Sequence, residues 1–327
     1  MTWKVDDLQI LVDFLALKSP LFAPSIDGHM CLMFRQISPG EEIDLSRRTD
    51  ISARNLFQPE THYYLDFGGE PGAEPVLRDF KTNGRIILGL RPCDMTGLRV
   101  FDSVFSESES FSTLRSGTII IGYLCDRLES SCFCESVGVS PRETEGMDLF
   151  LFRTADGIYH LDSVTDRGSA LMEGSPFPQD DAEPESVPLR VQPLPRLPDD
   201  LGALLLESDD VLWKKISFAC VNCRICTYVC PTCHCFTISD EVFRDRVARA
   251  AVWDSCQSRT FTKEASGHNP RESRTARARQ RILHKFSYYP TLNDGTFMCS
   301  GCGRCDTSCP TGRNLLEDLL ALTGEVR

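Results

Sequence analysis

The sequence predicts an α/β domain built on a mixed sheet, followed by a mainly helical domain organised around cysteines. Three observations carry this expectation. Apolar strand-like runs fill the first half, a stretch dense in Pro, Asp and Glu lies between Gly174 and Asp200, and one cysteine spacing occurs twice beyond it. The boundaries that follow are 1–175 for the first domain, 176–200 for an extended Pro/acidic linker and 201–327 for the second domain. A chain of 327 residues is long enough for two domains, and 41% hydrophobic with 25% charged residues is ordinary for a globular protein.

The first domain opens with Val5, Leu8, Leu11, Phe14 and Leu15 at helical spacing, with Asp6, Asp7, Gln9 and Asp13 between them. This reads as an amphipathic helix docked on its own core. Strand-like runs follow at Met30–Ile37, His62–Phe67, Arg85–Leu90 and Thr118–Leu124. Asp148–Arg153 and Ile158–Val164 flank an Ala155-Asp156-Gly157 turn and read as a hairpin. The runs Ile86–Leu90 and Ile119–Leu124 are closed by the same dipeptide, Cys93-Asp94 and Cys125-Asp126. Between them Leu98, Phe101, Val104 and Phe105 have helical spacing, which predicts a βαβ unit with parallel strands. Cys93 and Cys125 would then emerge side by side at the carboxyl edge of the sheet, where open α/β sheets bind ligands.

The second domain carries few strand signals. Asp240–Trp253, Arg271–Phe286 and Asn314–Leu322 read as helices. Around them the spacing Cys-x2-Cys-x2-Cys-x3-Cys-Pro appears at Cys220, Cys223, Cys226, Cys230, Pro231 and again at Cys299, Cys302, Cys305, Cys309, Pro310. That run is the bacterial-type signature for a pair of [4Fe-4S] clusters, in which the fourth cysteine of each copy crosses to the other cluster. The predicted ligands are Cys220, Cys223, Cys226 and Cys309 for one cluster, and Cys299, Cys302, Cys305 and Cys230 for the second. Structural zinc also uses Cys-x2-Cys pairs, but it does not account for a third and fourth cysteine at these spacings, twice. The second domain is therefore expected to be a helical, ferredoxin-like dicluster domain.

Ser131-Cys132-Phe133-Cys134 follows shortly after Cys125. With Cys93 and Cys125 it gives four thiols that the βαβ argument brings to one edge, enough for a third [4Fe-4S] cluster. Buried structural thiols or a zinc site would account for the same residues. Four of the 16 cysteines remain. Cys31 lies in an apolar run and reads as core, while Cys233, Cys235 and Cys256, with His268, allow a further metal site or simply thiols packed near the clusters. Arg271, Arg274, Arg277, Arg281 and Lys285 recur at three- and four-residue steps, on one helix face. A solvated face and a face that compensates cluster charge or steers an acidic partner both fit that pattern.

Absences narrow the function. No Gly-x-Gly-x-x-Gly follows a strand, so a flavin or nicotinamide site is not supported, and no Walker loop, catalytic triad order or zinc-protease motif appears. No residue is predicted to be catalytic. A formal net charge of -12 argues against a nucleic-acid binder, which would remain as an alternative only through the basic helix. No run approaches the roughly eighteen apolar residues that span a bilayer. Sixteen cysteines with no opening signal segment point to the cytoplasm.

Taken together, Arg91-Pro92-Cys93-Asp94, Cys132-Phe133-Cys134, Cys230-Pro231-Thr232-Cys233-His234-Cys235, Trp253-Asp254-Ser255-Cys256, Gly267-His268-Asn269, His284-Lys285 and Cys299-Ser300-Gly301-Cys302-Gly303-Arg304-Cys305 resemble a known group. It comprises the beta subunits of sulfhydrogenases, the A subunit of anaerobic sulfite reductase and the B subunit of flavin oxidoreductases coupled to heterodisulfide reductase. The resemblance spans roughly 85–310. It implies a cytoplasmic, non-catalytic electron-transfer subunit of anaerobic metabolism. The implied partners are a FAD/NAD(P)H-binding subunit and a terminal hydrogenase, sulfite reductase or heterodisulfide-reductase module. It also covers Cys93, Cys125, Cys132 and Cys134 and so favours the third cluster. A self-sufficient reductase of sulfur or sulfite chemistry, with substrate at the N-terminal site, is the alternative.

Overall fold

The computed structural model describes residues 1–68, 74–78, 84–184, 189, 194–244 and 246–324. Its strands, in chain order, are β1 Thr2–Val5, β2 Leu21–Ile26, β3 Leu32–Ile37, β4 Thr61–Phe67, β5 Val76–Leu77, β6 Arg85–Leu90, β7 Thr118–Tyr123, β8 Leu149–Arg153, β9 Tyr159–Ser163, β10 Gln179–Asp180, β11 Phe236–Val242 and β12 Val247–Trp253. Packing divides the chain into two compact units. One comprises Met1–Ala53, Thr82–Arg196 and Ser300–Cys302; the other comprises Arg54–Lys81, Leu197–Cys299 and Gly303–Arg327.

The first unit is built on an eight-stranded mixed sheet in the order β10-β1-β9-β8-β7-β6-β2-β3. Its centre, β2, β6, β7 and β8, is parallel, and β3, β9, β1 and β10 add antiparallel edges. Parallel neighbours need crossovers, and the helices Pro92–Val104 and Glu109–Ser116 supply the one between β6 and β7. The predicted βαβ unit and the β8–β9 hairpin are both present. The opening helix runs Leu8–Lys18 and buries Leu11, Val12 and Leu15 against Ile86, Leu88, Ile121 and Leu149. Asp7 caps it by accepting the Gln9 N–H at 2.8 Å.

Strand β2 carries Pro24, which masks it in the sequence. The strand tolerates that residue because its pairing with β6 extends only over Leu21 and Phe22. Cys31 lies just before β3, half-buried, with its N–H on Asp27 Oδ1, and not inside the strand core. At Gly89 the ladder with β7 slips by one residue. That backbone has φ +92°, and a Cβ there would come within 2.8 Å of Leu45 Cδ2, so the bulge that ends β6 needs glycine. The stretch expected as a linker, 176–200, lies partly outside the described residues; its start contributes β10 to the sheet edge.

The second unit differs from the expectation over Asp240–Trp253. That segment is not a helix: β11 and β12 form an antiparallel hairpin, and β12 pairs on its other side with β4. Ala248 and Ala250 alternate with more exposed neighbours, a period of two that the helical reading of this polar run passed over. Pairing with a strand distant in sequence decides the outcome, as β preference is mostly tertiary context. The unit is thus a four-stranded antiparallel sheet, β11-β12-β4-β5, with helices that include Leu201–Glu207, Asp210–Phe218, Arg274–Leu283 and Leu315–Thr323. Trp213, Leu205, Phe286 and Leu319 are fully buried there. Among the described residues no helix is long and apolar enough to cross a membrane.

Candidate iron-sulfur site

The two cysteine motifs fold alike locally. In the first, Asn222 and Arg224 take left-handed conformations, with φ of 64° and 68°; in the second, Gly301 and Gly303 do so at the same two positions, with φ of 60° and 70°. A short helix follows each pair, Ile225–Tyr228 and Arg304–Thr307. Successive turns of this kind make concave backbone nests that suit anions and iron–sulfur clusters. Glycine in the second copy was the sequence signal that the matching positions of the first, occupied by Asn and Arg, are left-handed too.

Cys220, Cys223, Cys226 and Cys309, expected to share one cluster, line a single cavity of about 50 Å³ together with Cys305 and Arg281. That space is several times what one water needs. Burial works against ionisation of Cys309, but hydrogen bonds from the Thr311 hydroxyl and from the backbone N–H groups of Arg313 and Thr311 hold its thiol below the usual range. Burial raises the Cys226 thiol, and the Arg281 guanidinium opposes it.

The predicted basic face is solvated only in part: Arg274 is exposed, whereas Arg277 and Lys285 are buried. Arg274 Nη1 donates to the carbonyl of Cys220 at 2.6 Å, and Arg281 Nη2 donates to the carbonyl of Cys226 at 3.4 Å. Lys285 Nζ reaches Cys230 Sγ at 3.5 Å, Thr232 Oγ1 at 2.7 Å and the Met298 carbonyl at 3.0 Å. The helix Arg274–Leu283 and the π-turn His284–Tyr288 that prolongs it thus set cations against the first, third and fourth cysteines of the first motif. Arg277 is buried as well and tethers the chain at Arg271 and Glu272 through their carbonyls. Arg271 is partly exposed.

Lys285 is 1% exposed. Burial alone would lower its pKa; the thiols of Cys230, Cys233 and Cys299 outweigh burial and hold it raised. Arg281 behaves the same way among Cys226, Cys305, Cys233 and Cys230. In return Cys230 is held well below the usual thiol range, first by the Cys233 thiol that donates to it and then, against burial, by Lys285 and the Thr232 hydroxyl. Buried cations that face thiols are suited to ligands carrying the negative charge of a thiolate-bound cluster. The donor set of the second unit therefore fits iron–sulfur binding.

The N-terminal set lies in the first unit. Pro92 occupies the first position of its helix and Asp94 the third, where its carboxylate accepts the Arg91 N–H at 3.4 Å, so Cys93 is fixed in the first turn. Arg91 Nη1 contacts Cys125 Sγ at 3.7 Å and also acts on Cys93. Burial pushes the Cys134 thiol up to about 12, with Cys132 and Cys125 adding to the rise. Burial likewise raises Cys125, opposed by Arg91, and Cys132, opposed by Arg48. The structure thus groups Cys125, Cys132 and Cys134 and links Cys93 to them through Arg91, a cation that the motif reading passed over. Four thiols with a buried arginine among them fit a cluster by the chemistry of the donor set.

Cys302, expected in the second cluster, packs with this N-terminal set: Phe133 N–H donates to the Gly301 carbonyl at 2.7 Å, and Cys132 Sγ lies 4.0 Å from the Cys302 carbonyl. Cys230 and Cys299 both act on Lys285, and Cys305 lines the first cavity. The Cys233 thiol donates a hydrogen bond to Cys230, and the Cys256 thiol donates one to Cys235; the side chain of His268 is exposed. Among the described residues no three His, Cys, Asp or Glu groups are placed to hold a single metal ion.

Residues 219–313 match the family model of a 4Fe-4S dicluster domain. The chain is 30% identical over 240 residues to the sulfhydrogenase 2 beta subunit of Pyrococcus furiosus, an alignment covering 69% of this chain and 70% of that protein. No solved structure matches.

Proposed function

Because the chain belongs to the sulfhydrogenase beta-subunit family, we propose that it serves as the electron relay of a multi-subunit oxidoreductase, holding three [4Fe-4S] clusters and no catalytic residue of its own. The chain is an iron–sulfur electron-transfer subunit with a 4Fe-4S dicluster domain. Cys220, Cys223, Cys226 and Cys309 would hold the first cluster; Cys299, Cys302, Cys305 and Cys230 the second; Cys93, Cys125, Cys132 and Cys134 the third. When bound, such clusters supply one-electron transfer at potentials set by net charge, hydrogen bonds to sulfur and exposure.

The observation that carries the reading is the match between the basic helix and the first motif: Arg274 on Cys220, Arg281 on Cys226 and Lys285 on Cys230. Arg274 and Arg281 hold the ligand loop by its carbonyls, and buried Lys285 would balance the charge of an electron carrier. On one side the proposed partner is a FAD/NAD(P)H-binding subunit. On the other it is a terminal module, for which the relative's name, sulfhydrogenase, favours a hydrogenase over a sulfite reductase or heterodisulfide reductase. The proposed compartment is the cytoplasm.

Anaerobic iron and sulfide analysis with reduced-state EPR tests the cluster count: about twelve irons per chain are expected, and about eight would remove the third cluster. Purification of the tagged chain from its native host should bring a flavoprotein and a redox enzyme with it. A second reading, substrate reduction at the N-terminal site, draws on a polar cavity of about 380 Å³ lined by Cys125, Asp126, Arg142 and Arg153 beyond the carboxyl ends of β7 and β8. Sulfite or NAD(P)+ reduction by the isolated chain would favour it over the relay.

A further inference from the structure

Cys235 and Cys256 are left outside the cluster ligands. They meet at the open end of the β11/β12 hairpin, Cys235 one residue and Cys256 three residues beyond the last pair, Phe236 with Trp253, where Asp254 N–H donates to the Cys235 carbonyl at 3.0 Å. There the thiol of Cys256 and its backbone N–H both donate to Cys235 Sγ. Beside them lies Arg54, 3% exposed. Its hydrogen-bond partners are neutral oxygens: Gln58 Oε1 at 2.9 Å and the carbonyls of Thr227 and Cys235, each at 3.3 Å. Its face lies 3.8 Å from the Trp253 ring. A buried guanidinium among neutral partners calls for an anion, and the thiols of Cys233, Cys230 and Cys235 act on it. The Cys235 thiol is lowered to about 6, first by the Cys256 hydrogen bond and then, against burial, by the Cys256 N–H and Arg54. Cys256, as donor, is raised.

We propose that Cys235 and Cys256 form a redox-active dithiol–disulfide pair that exchanges with small disulfides and stores two electrons beside the one-electron relay. A thiolate held by a cation, with a partner thiol already on its sulfur, is the arrangement of an attacking and a resolving cysteine. The Cys235 thiolate attacks the disulfide, forming a mixed disulfide and expelling one thiolate. Cys256 then loses its proton and attacks Cys235 Sγ, forming the internal S–S bond and expelling the second thiolate. In sum the protein dithiol and one disulfide become one protein disulfide and two thiols. The storage role rests on the relay reading; the exchange does not.

The test equilibrates the full-length, cluster-loaded protein anaerobically in graded mixtures of reduced and oxidised dithiothreitol, quenches in acid, alkylates, and reads peptides by mass spectrometry. The expected result is a Cys235–Cys256 cross-linked peptide that replaces the doubly alkylated form in one two-electron step, with iron content and the cluster EPR signals unchanged. Cys256→Ser should abolish the cross-link, and with glutathione disulfide in place of the dithiothreitol mixtures it should leave Cys235 as a mixed disulfide with glutathione. Both thiols staying alkylatable in every mixture overturns the proposal. So does a loss of iron in Cys235→Ser or Cys256→Ser, which would make them ligands. Wild-type protein lacking clusters would overturn the relay instead, and the cross-link would still decide the exchange.

Discussion

The backbone N–H of Phe133 donates to the carbonyl oxygen of Gly301 at 2.7 Å, joining two cysteine segments far apart in sequence. The contact is close enough that a Cβ on Gly301 would lie 2.5 Å from both N and Cα of Cys134. Gly301 also sits at φ +60°, a conformation that L residues adopt at a cost.

Gly301→Ala should therefore disturb more than its own turn. We expect a destabilisation of about 2 kcal/mol or more, from left-handed strain plus overpacking. Anaerobic urea unfolding would show the lowered midpoint, and iron analysis of the folded protein a loss of cluster. A variant with unchanged midpoint and iron would separate this contact from cluster binding.

Lys285 is a buried cation 3.5 Å from the sulfur of Cys230, a predicted ligand. Lys285→Met removes positive charge beside the cluster proposed at Cys230, a change expected to favour the oxidised form and lower its potential. Each tenfold shift in that one-electron equilibrium is about 59 mV. Redox titration followed by EPR should show one signal moved to more negative potential, and Lys285→Arg should recover part of the shift.

Serine in place of Cys125 or Cys134 should remove up to about four irons per chain and leave the two motif clusters spectroscopically intact. The corresponding change at Cys223 should act on another signal. Identical spectral losses from the two sets would mean that they do not hold separate clusters.

His234 and His284 are each lowered to about 4, chiefly by burial, and then by His284, Lys285 and Arg54 for the first and by Lys285 and Arg271 for the second. Unfolded histidine titrates near 6.5, so between pH 6.5 and about 4 the unfolded state binds more protons and stability falls as pH falls. Their stabilising contribution is complete above pH 6.5. Melting temperatures of wild type and His234→Gln/His284→Gln across that range should converge at the acid end, the double variant having the flatter profile.

Much of this was legible beforehand because cluster ligation forces a rigid spacing. The doubled cysteine spacing marks the dicluster domain, and the shared ending of the β6 and β7 runs exposes the parallel pair. The hairpin over Phe236–Trp253 was hidden since its partner, β4, lies far back in the chain. The basic face of Arg274, Arg281 and Lys285 was visible as a pattern, yet spacing alone does not say whether water or sulfur lies opposite. Arg54 and Arg91 were invisible as partners of cysteine because only the fold brings them there.

That Ser300–Cys302 packs into the unit formed mainly by residues 1–53 and 82–196 has a consequence for biosynthesis. The ribosome has made nearly all of that unit long before the tripeptide that completes it emerges. The bond from Phe133 N–H to the Gly301 carbonyl can form only once that late piece of chain is available. If the N-terminal cysteines hold a cluster as proposed, a message truncated before residue 302 would yield a product that lacks the segment packed against them.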